Sequence, residues 1–176
     1  MLSEAQRKVR DFSAQAIVNT LNAMAKLGHY DKAVVDVLLS EVQRKARDFN
    51  SQDIGNTLNA MSNLRHYDKA VFEVLLSEAQ LKVRDFNAQE LSNTLTAMSN
   101  LKHYDKAAFE VLSEAQCKAR DFNAQDIANT LNAMSKHYDK AVFEVLLSEA
   151  QLKVRDFNAQ ELSNTLTAMS NLKHYD

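Results

Sequence analysis

Proline and tryptophan are absent from this sequence, glycine occurs twice and cysteine once. With Gly28 and Gly55 as its only glycines and no proline, the chain lacks the residues that usually build β-turns and hairpins. A lone Cys117 excludes an internal disulfide and fits a reducing, intracellular compartment. No apolar run approaches the roughly 20 residues that a membrane-spanning helix requires. Charge of one sign is missing as well. The 21 basic and 23 acidic side chains leave a formal charge of −2, so no global field draws the chain to nucleic acid or to anionic lipid. The opening Met1-Leu2-Ser3-Glu4 reads as neither a signal peptide nor an arginine-rich transit peptide.

Alanine, leucine, glutamate, lysine and glutamine are abundant, which predicts helices joined by short connections. The chain also repeats itself. The string FNAQELSNTLTAMSNLKHYD at 86–105 recurs letter for letter at 157–176, and looser copies begin at Phe12, Phe49 and Phe122. Aligned on Asp11, Asp48, Asp85, Asp121 and Asp156, the copies are spaced 37, 37, 36 and 35 residues apart. A period of that size marks stacked supersecondary units.

The second copy shows what one unit encodes. Asn50 is placed to cap a first helix, with Asp53 in the capping-box position and Phe49 and Ile54 set as a hydrophobic staple. Ile54, Leu58, Met61 and Leu64 then recur at helical spacing. His66-Tyr67-Asp68 forms a turn, after which Asp68 caps a second helix with Tyr67 and Phe72 as its staple. Val71, Phe72, Leu75, Leu76, Ala79 and Val83 line one face of that helix, and Lys82 and Arg84 close it where cations suit the helix dipole. Neither the first (A) nor the second (B) helix can bury its apolar stripe alone, and stacking on the next pair completes the core. The expected fold is an all-α, right-handed solenoid of helix-turn-helix repeats, forming a single domain over 1–176. Half repeats at 1–10 and 156–176 flank full repeats at 11–47, 48–84, 85–120 and 121–155.

Two copies are irregular. Val111-Leu112-Ser113 lacks one leucine relative to Val74-Leu75-Leu76-Ser77, a loss that turns the following side chains by about 100° around the helix. Met134-Ser135-Lys136-His137 lacks the residues corresponding to Asn100-Leu101, which predicts a short last turn and a local bend. Residues 1–10 match the second half of a B helix, and Asp176 falls where another would start. Two explanations stay open: a segment of a longer array, or ends that pack on something, including head-to-tail contact with another copy.

The stretch Phe122 to Ser135, with its Phe-x-x-Gln-x-Leu/Ile-x-Asn-Thr-Leu pattern, resembles octotricopeptide repeats and the related helical repeats of FAST-kinase-like and RAP-domain proteins. The resemblance extends over essentially the whole chain. It implies an organellar protein, mitochondrial or chloroplast, that binds single-stranded RNA in transcript maturation, stability or translation. The chain departs from that family in having Asn22, Asn59, Thr96, Asn132 and Thr167 where tryptophan is frequent.

Two ladders are candidate RNA contacts. The A-helix side opposite the apolar stripe carries Asn22; Gly55 and Asn59; Ser92 and Thr96; Ala128 and Asn132; Ser163 and Thr167. One short polar residue per repeat is how helical arrays read one base per unit; equally, small residues let neighbouring A helices approach closely. A second ladder, Lys8/Arg10, Lys45/Arg47, Lys82/Arg84, Lys118/Arg120 and Lys153/Arg155, forms a track for phosphates, or else serves helix C-termini beside the adjoining aspartates. Asn19, Asn56, Asn93, Asn129 and Asn164 fill one column and are expected to bond neighbouring backbone, with direct ligand contact as the lesser alternative. The histidines His29, His66, His103, His137 and His174 fall in one turn per repeat, too far apart to share a metal. No nucleophile–base pair and no phosphate-binding glycine loop is evident. The sequence therefore predicts a non-enzymatic protein with no cofactor, metal, membrane or small-molecule substrate. Its expected ligand is single-stranded RNA, with a protein-binding scaffold or structural subunit of a large assembly as the alternative.

Overall fold

The computed structural model describes residues 7–101, 106–135 and 140–172. Its α-helices are α1 (Ala14–Leu27), α2 (Lys32–Lys45), α3 (Ser51–Asn63), α4 (Lys69–Leu81) and α5 (Ala88–Asn100). They are followed by α6 (Lys106–Cys117), α7 (Ala124–Met134), α8 (Lys140–Leu152) and α9 (Ala159–Leu172). No strand occurs among the described residues, and no helix there is long and apolar enough to cross a membrane.

Local chemistry sets the helix starts. Asn50 Oδ1 accepts from Asp53 N at 2.8 Å while Asp53 Oδ2 accepts from Asn50 N at 3.2 Å, a reciprocal capping box. The same pair forms at Asn87/Glu90 and Asn123/Asp126. Asp31 and Asp68 cap α2 and α4 by accepting from Val34 N and Val71 N. The staples form too: Phe49 and Ile54 are buried, and the Tyr67 and Phe72 rings lie 5.7 Å apart. Gly28 ends α1 in the left-handed conformation at φ 60°, where the absence of Cβ removes the steric penalty. Arg65 adopts the same conformation after α3, at φ 52°, without that advantage.

The B helices end earlier than the apolar pattern implies. α4 stops at Leu81, Lys82 leaves helical geometry at φ −113° and ψ 12°, and Val83–Asp85 forms a separate 3₁₀ turn. Equivalent turns occur at Val9–Asp11, Ala46–Asp48, Ala119–Asp121 and Val154–Asp156. The break lets the chain reverse so that the next phenylalanine, in extended backbone, swings into the core; Phe49, Phe86 and Phe122 are each buried.

Packing obeys a two-layer rule. Within a hairpin, α1 lies on α2, α3 on α4, α5 on α6 and α7 on α8. Between hairpins, the A helices pack in the order α1, α3, α5, α7, α9 and the B helices in the order α2, α4, α6, α8. Each apolar stripe is thus completed by the next hairpin along, and one continuous set of buried side chains runs through the stack.

The missing leucine leaves the C-terminal part of its helix in register, contrary to the expected rotation. α6 has 12 residues where α4 has 13, yet Lys118 reaches the same two backbone carbonyls of the preceding repeat that Lys82 reaches in its own. The offset therefore falls before Val111, because the junction with the preceding hairpin holds the helix end in place. α7 is shortened as expected, to 11 residues against 13 in α5; the expected bend after it lies at 136–139, outside the described residues.

Candidate functional site

The A-helix stripe divides into two kinds of position. Gly55, Ser92 and Ala128 are buried between successive A helices. A Cβ on Gly55 would stand 3.3 Å from Thr94 Oγ1 and 3.5 Å from the Glu90 carbonyl oxygen. Ser92 Oγ donates to Asp126 O at 3.2 Å, and Ser99 Oγ donates to Ala133 O at 3.0 Å. These small residues serve close approach of neighbouring helices, so the stripe is not one continuous exposed surface. Asn22, Asn59 and Thr96 are half-buried at its edge, Asn132 is exposed, and Ser163 and Thr167 on α9 are exposed. Thr167 Oγ1 donates back to Ser163 O at 2.8 Å, within its own helix.

The lysine half of the second ladder is already engaged. Lys82 Nζ donates to Arg47 O at 3.0 Å and Phe49 O at 2.6 Å. Lys118 Nζ donates to Arg84 O and Phe86 O, both at 2.7 Å, and Lys153 Nζ to Arg120 O and Phe122 O, both at 2.6 Å. Lys45 makes the same pair with Arg10 O, at 3.0 Å, and Phe12 O. Glu78 and Glu114, one helical turn earlier, pair with Lys82 and Lys118 at 3.0 and 3.1 Å. Each ammonium group thus satisfies carbonyls left unpaired by the 3₁₀ turn of the previous repeat. The arginine half is different: Arg10, Arg47, Arg84, Arg120 and Arg155 are exposed. None of the four from Arg47 onward pairs with the aspartate next to it in the chain. Lys8 is exposed as well.

Sequence reasoning missed a third set of residues. Gln15, Gln52, Gln89, Gln125 and Gln160 are all exposed on the outer side of the A layer. The asparagine column lies one turn further along each helix, with Asn19 exposed and Asn56, Asn93, Asn129 and Asn164 half-buried. The expected backbone bonds of that column do not form: Asn19, Asn56, Asn93 and Asn129 have no hydrogen-bond partner among the described residues. The available signal was the i, i+4, i+7 recurrence of amide residues within each copy.

Electrostatics single out one carboxyl group. Burial pushes Asp126 above the usual carboxylate range, partly offset by the backbone N–H of Asn123. Tyr30 Oη lies 2.9 Å from His66 Nδ1, and His66 Nε2 lies 3.4 Å from Asp36 Oδ1. This chain of contacts joins the first hairpin to the turn of the second. His103, His137 and His174 lie outside the described residues. Among the described residues, no three histidine, cysteine, aspartate or glutamate side chains gather as a metal site.

The fold defines a helical protein of internally repeated hairpins, with no strand among the described residues. The family model described as RNA-editing substrate-binding complex 6 protein, RESC6, matches residues 4–176, and the chain belongs to that family. This corrects the resemblance to octotricopeptide, FAST-kinase-like and RAP-domain repeats. The pattern behind that resemblance is a packing code. Phe122, Ile127, Thr130 and Leu131 are buried, Gln125 is exposed and Asn123 caps the helix, a set of roles that any stacked helix pair needs. A comparison with curated proteins finds no match.

Proposed function

We propose that the chain is a non-enzymatic scaffold subunit of a multiprotein RNA-editing assembly, holding partner proteins along its stacked hairpins. The observation that carries this reading is the lysine clamp repeated at each described junction. It ties each hairpin to the backbone of the one before and makes the stack a stiff platform. Near-balanced charge favours protein partners over a phosphate-dominated ligand, and the family description names a complex. We assign the stack a right-handed coil made of four full repeats and two half repeats. Its proposed setting is an organelle in which transcripts are processed.

Single-stranded RNA is the second reading, supported by the exposed amide positions of the A layer. Phosphate contacts in that reading fall to Arg47, Arg84, Arg120 and Arg155, because the neighbouring lysines are committed to the fold. The test is affinity capture with the tagged chain, with and without nuclease. Scaffold action predicts a set of proteins that stays bound after RNA is digested. Loss of every partner on digestion overturns it.

A further inference from the structure

We infer that the two end faces of the stack, the open flank of α9 and the open flank of α1, bind each other head to tail in separate copies of this chain. The inference rests on neither reading above and can fail without them.

The first observation is what α9 leaves open. α9 repeats the sequence of Ala88–Leu101 letter for letter. Leu91 and Leu95 of α5 are nevertheless buried, while their counterparts Leu162 and Leu166 are exposed, Leu166 at 63%. With Val154 and Phe157 they line an apolar groove that continues onto α8 at Leu147 and Ala150. Ser163 and Ser170 are exposed as well, where Ser92 and Ser99 are buried. Identical side chains differ here because of what covers them. α5 carries α6 from its own hairpin and α7 from the next, and α9 has neither kind of neighbour among the described residues.

The second is what α1 leaves open on its other side. Ala23 is exposed, whereas Ala60, Ala97 and Ala133 at the same repeat position are buried. Leu27 is 80% exposed and its counterpart Leu64 is buried. Thr20 is half-buried where Thr57, Thr94 and Thr130 are buried. Thr94 Oγ1 lies beside Gly55 of the preceding A helix, so the threonine column faces backwards along the stack. α1 thus exposes the flank that every later A helix turns to its predecessor. α9 exposes the flank that every earlier one turns to its successor. The two are the halves of an interface that the chain already makes from α1 on α3 to α7 on α9.

The third is the register that the inner junctions dictate. Ser92 Oγ donates to Asp126 O and Ser99 Oγ to Ala133 O. By repeat position, Ser163 and Ser170 of one copy meet the carbonyls of Ala16 and Ala23 in the next. The lysine clamp continues in the same way. Lys153 reaches Arg120 O and Phe122 O, and the next carbonyls in that series are Arg155 O and Phe157 O. Among the described residues no lysine follows to reach them, and Lys8, which opens the ladder, takes that place from the next copy. Leucine burial supplies the attraction, and the charge-assisted bonds fix the alignment. Since the two faces differ, the contact is heterologous: each added copy offers a fresh end, and the stack lengthens without closing.

The experiment is sedimentation velocity with the purified chain from about 1 μM to about 1 mM, an interval that spans weak to moderate affinities. The expected result is a mean mass that climbs with concentration past that of two chains. Leu166→Glu blocks one end and Ala23→Glu the other, each by setting a carboxylate in an apolar contact. Each variant alone should associate at least roughly tenfold more weakly, with helical content by circular dichroism unchanged. Mixed in equal amounts, they keep one good end apiece and should form a pair that grows no further. Lys8→Met should weaken assembly by about tenfold, as loss of hydrogen bonds to a charged group does. Should either blocking variant fail to fold, Ser170→Glu and Leu27→Glu, at exposed positions on the same flanks, give the same readout. A single-chain mass at every concentration overturns the inference. So does undiminished association of folded Ala23→Glu, which would mean that α9 faces pair with one another, or a mixture that forms no pair. A chain that stays single, yet loses a captured protein on Leu166→Glu, also overturns it and assigns the groove to that protein.

Discussion

Replacing Lys82 with methionine separates a lysine that holds the fold from one that waits for a phosphate. Methionine keeps most of the apolar stem of the side chain and removes the ammonium group. That group donates to Arg47 O at 3.0 Å and Phe49 O at 2.6 Å, and pairs with Glu78 at 3.0 Å, with the side chain 25% exposed. Hydrogen bonds to charged groups contribute about 1.5–3 kcal/mol each. Water can reach part of the site and will solvate the freed carbonyls, so the net loss should be about 2 kcal/mol rather than the sum of both bonds. For a chain of this length, that lowers the midpoint of thermal unfolding by about 4–8 °C. The control is Lys69→Met. Its side chain is 70% exposed, with the ammonium 3.6 Å from Glu73, an exposed pair contributing at most about 0.5 kcal/mol. Arg84→Gln, at an exposed guanidinium, should leave the midpoint unchanged. Thermal melts of the three variants decide the matter. If Lys82→Met costs no more than Lys69→Met, the clamp is not a structural device and the lysines return to the candidate phosphate track.

Other outcomes rest on single sites. Asp126→Asn should stabilise the protein at neutral pH, because burial raises the folded pKa and the charged form is the disfavoured one. With the folded pKa above the unfolded value, the native state binds more protons between the two, so wild-type stability falls as pH rises through the folded pKa. The advantage of asparagine should accordingly shrink as pH falls toward the ordinary carboxylate range, about pH 4, as melts across pH will show. Arg65→Gly should raise stability by about 0.5–1 kcal/mol by relieving the left-handed backbone at φ 52°, measured by chemical denaturation. Phe86→Ala, at a side chain 1% exposed, should cost about 3–5 kcal/mol and open the stack at that junction, visible as faster amide exchange in α4 and α5.

Much of the fold was legible in the sequence because its signals are local. A capping box needs residues three apart, so Asn50 and Asp53 declare a helix start without knowledge of the rest of the chain. The buried side of α3 is equally readable, since Ile54, Leu58 and Met61 recur at helical spacing. The end of each B helix was not legible. Val83 continues the apolar period, and only the need to bring Phe86 into the core breaks the helix at Lys82. The same limit applied to the candidate surfaces. A helix has two flanks, and its own sequence does not say which one a neighbour will cover. Gly55, Ser92 and Ala128 read as part of a contact stripe until the packing of α3 on α5 and of α5 on α7 buried them, while Asn56, Asn93 and Asn129, expected to bond neighbouring backbone, stay half-buried.

The sequence alone determined that the chain is helical, that its hairpins recur, and where most helices begin, since these depend on contacts within a few residues. Tertiary structure decided what each recurring side chain is for. The lysines before the Arg-Asp-Phe turns spend their charge on backbone carbonyls about 31–35 residues away, a partner that no local pattern can announce. Gly55, Ser92 and Ala128 are covered because the next A helix packs against that flank, which their own helix cannot record.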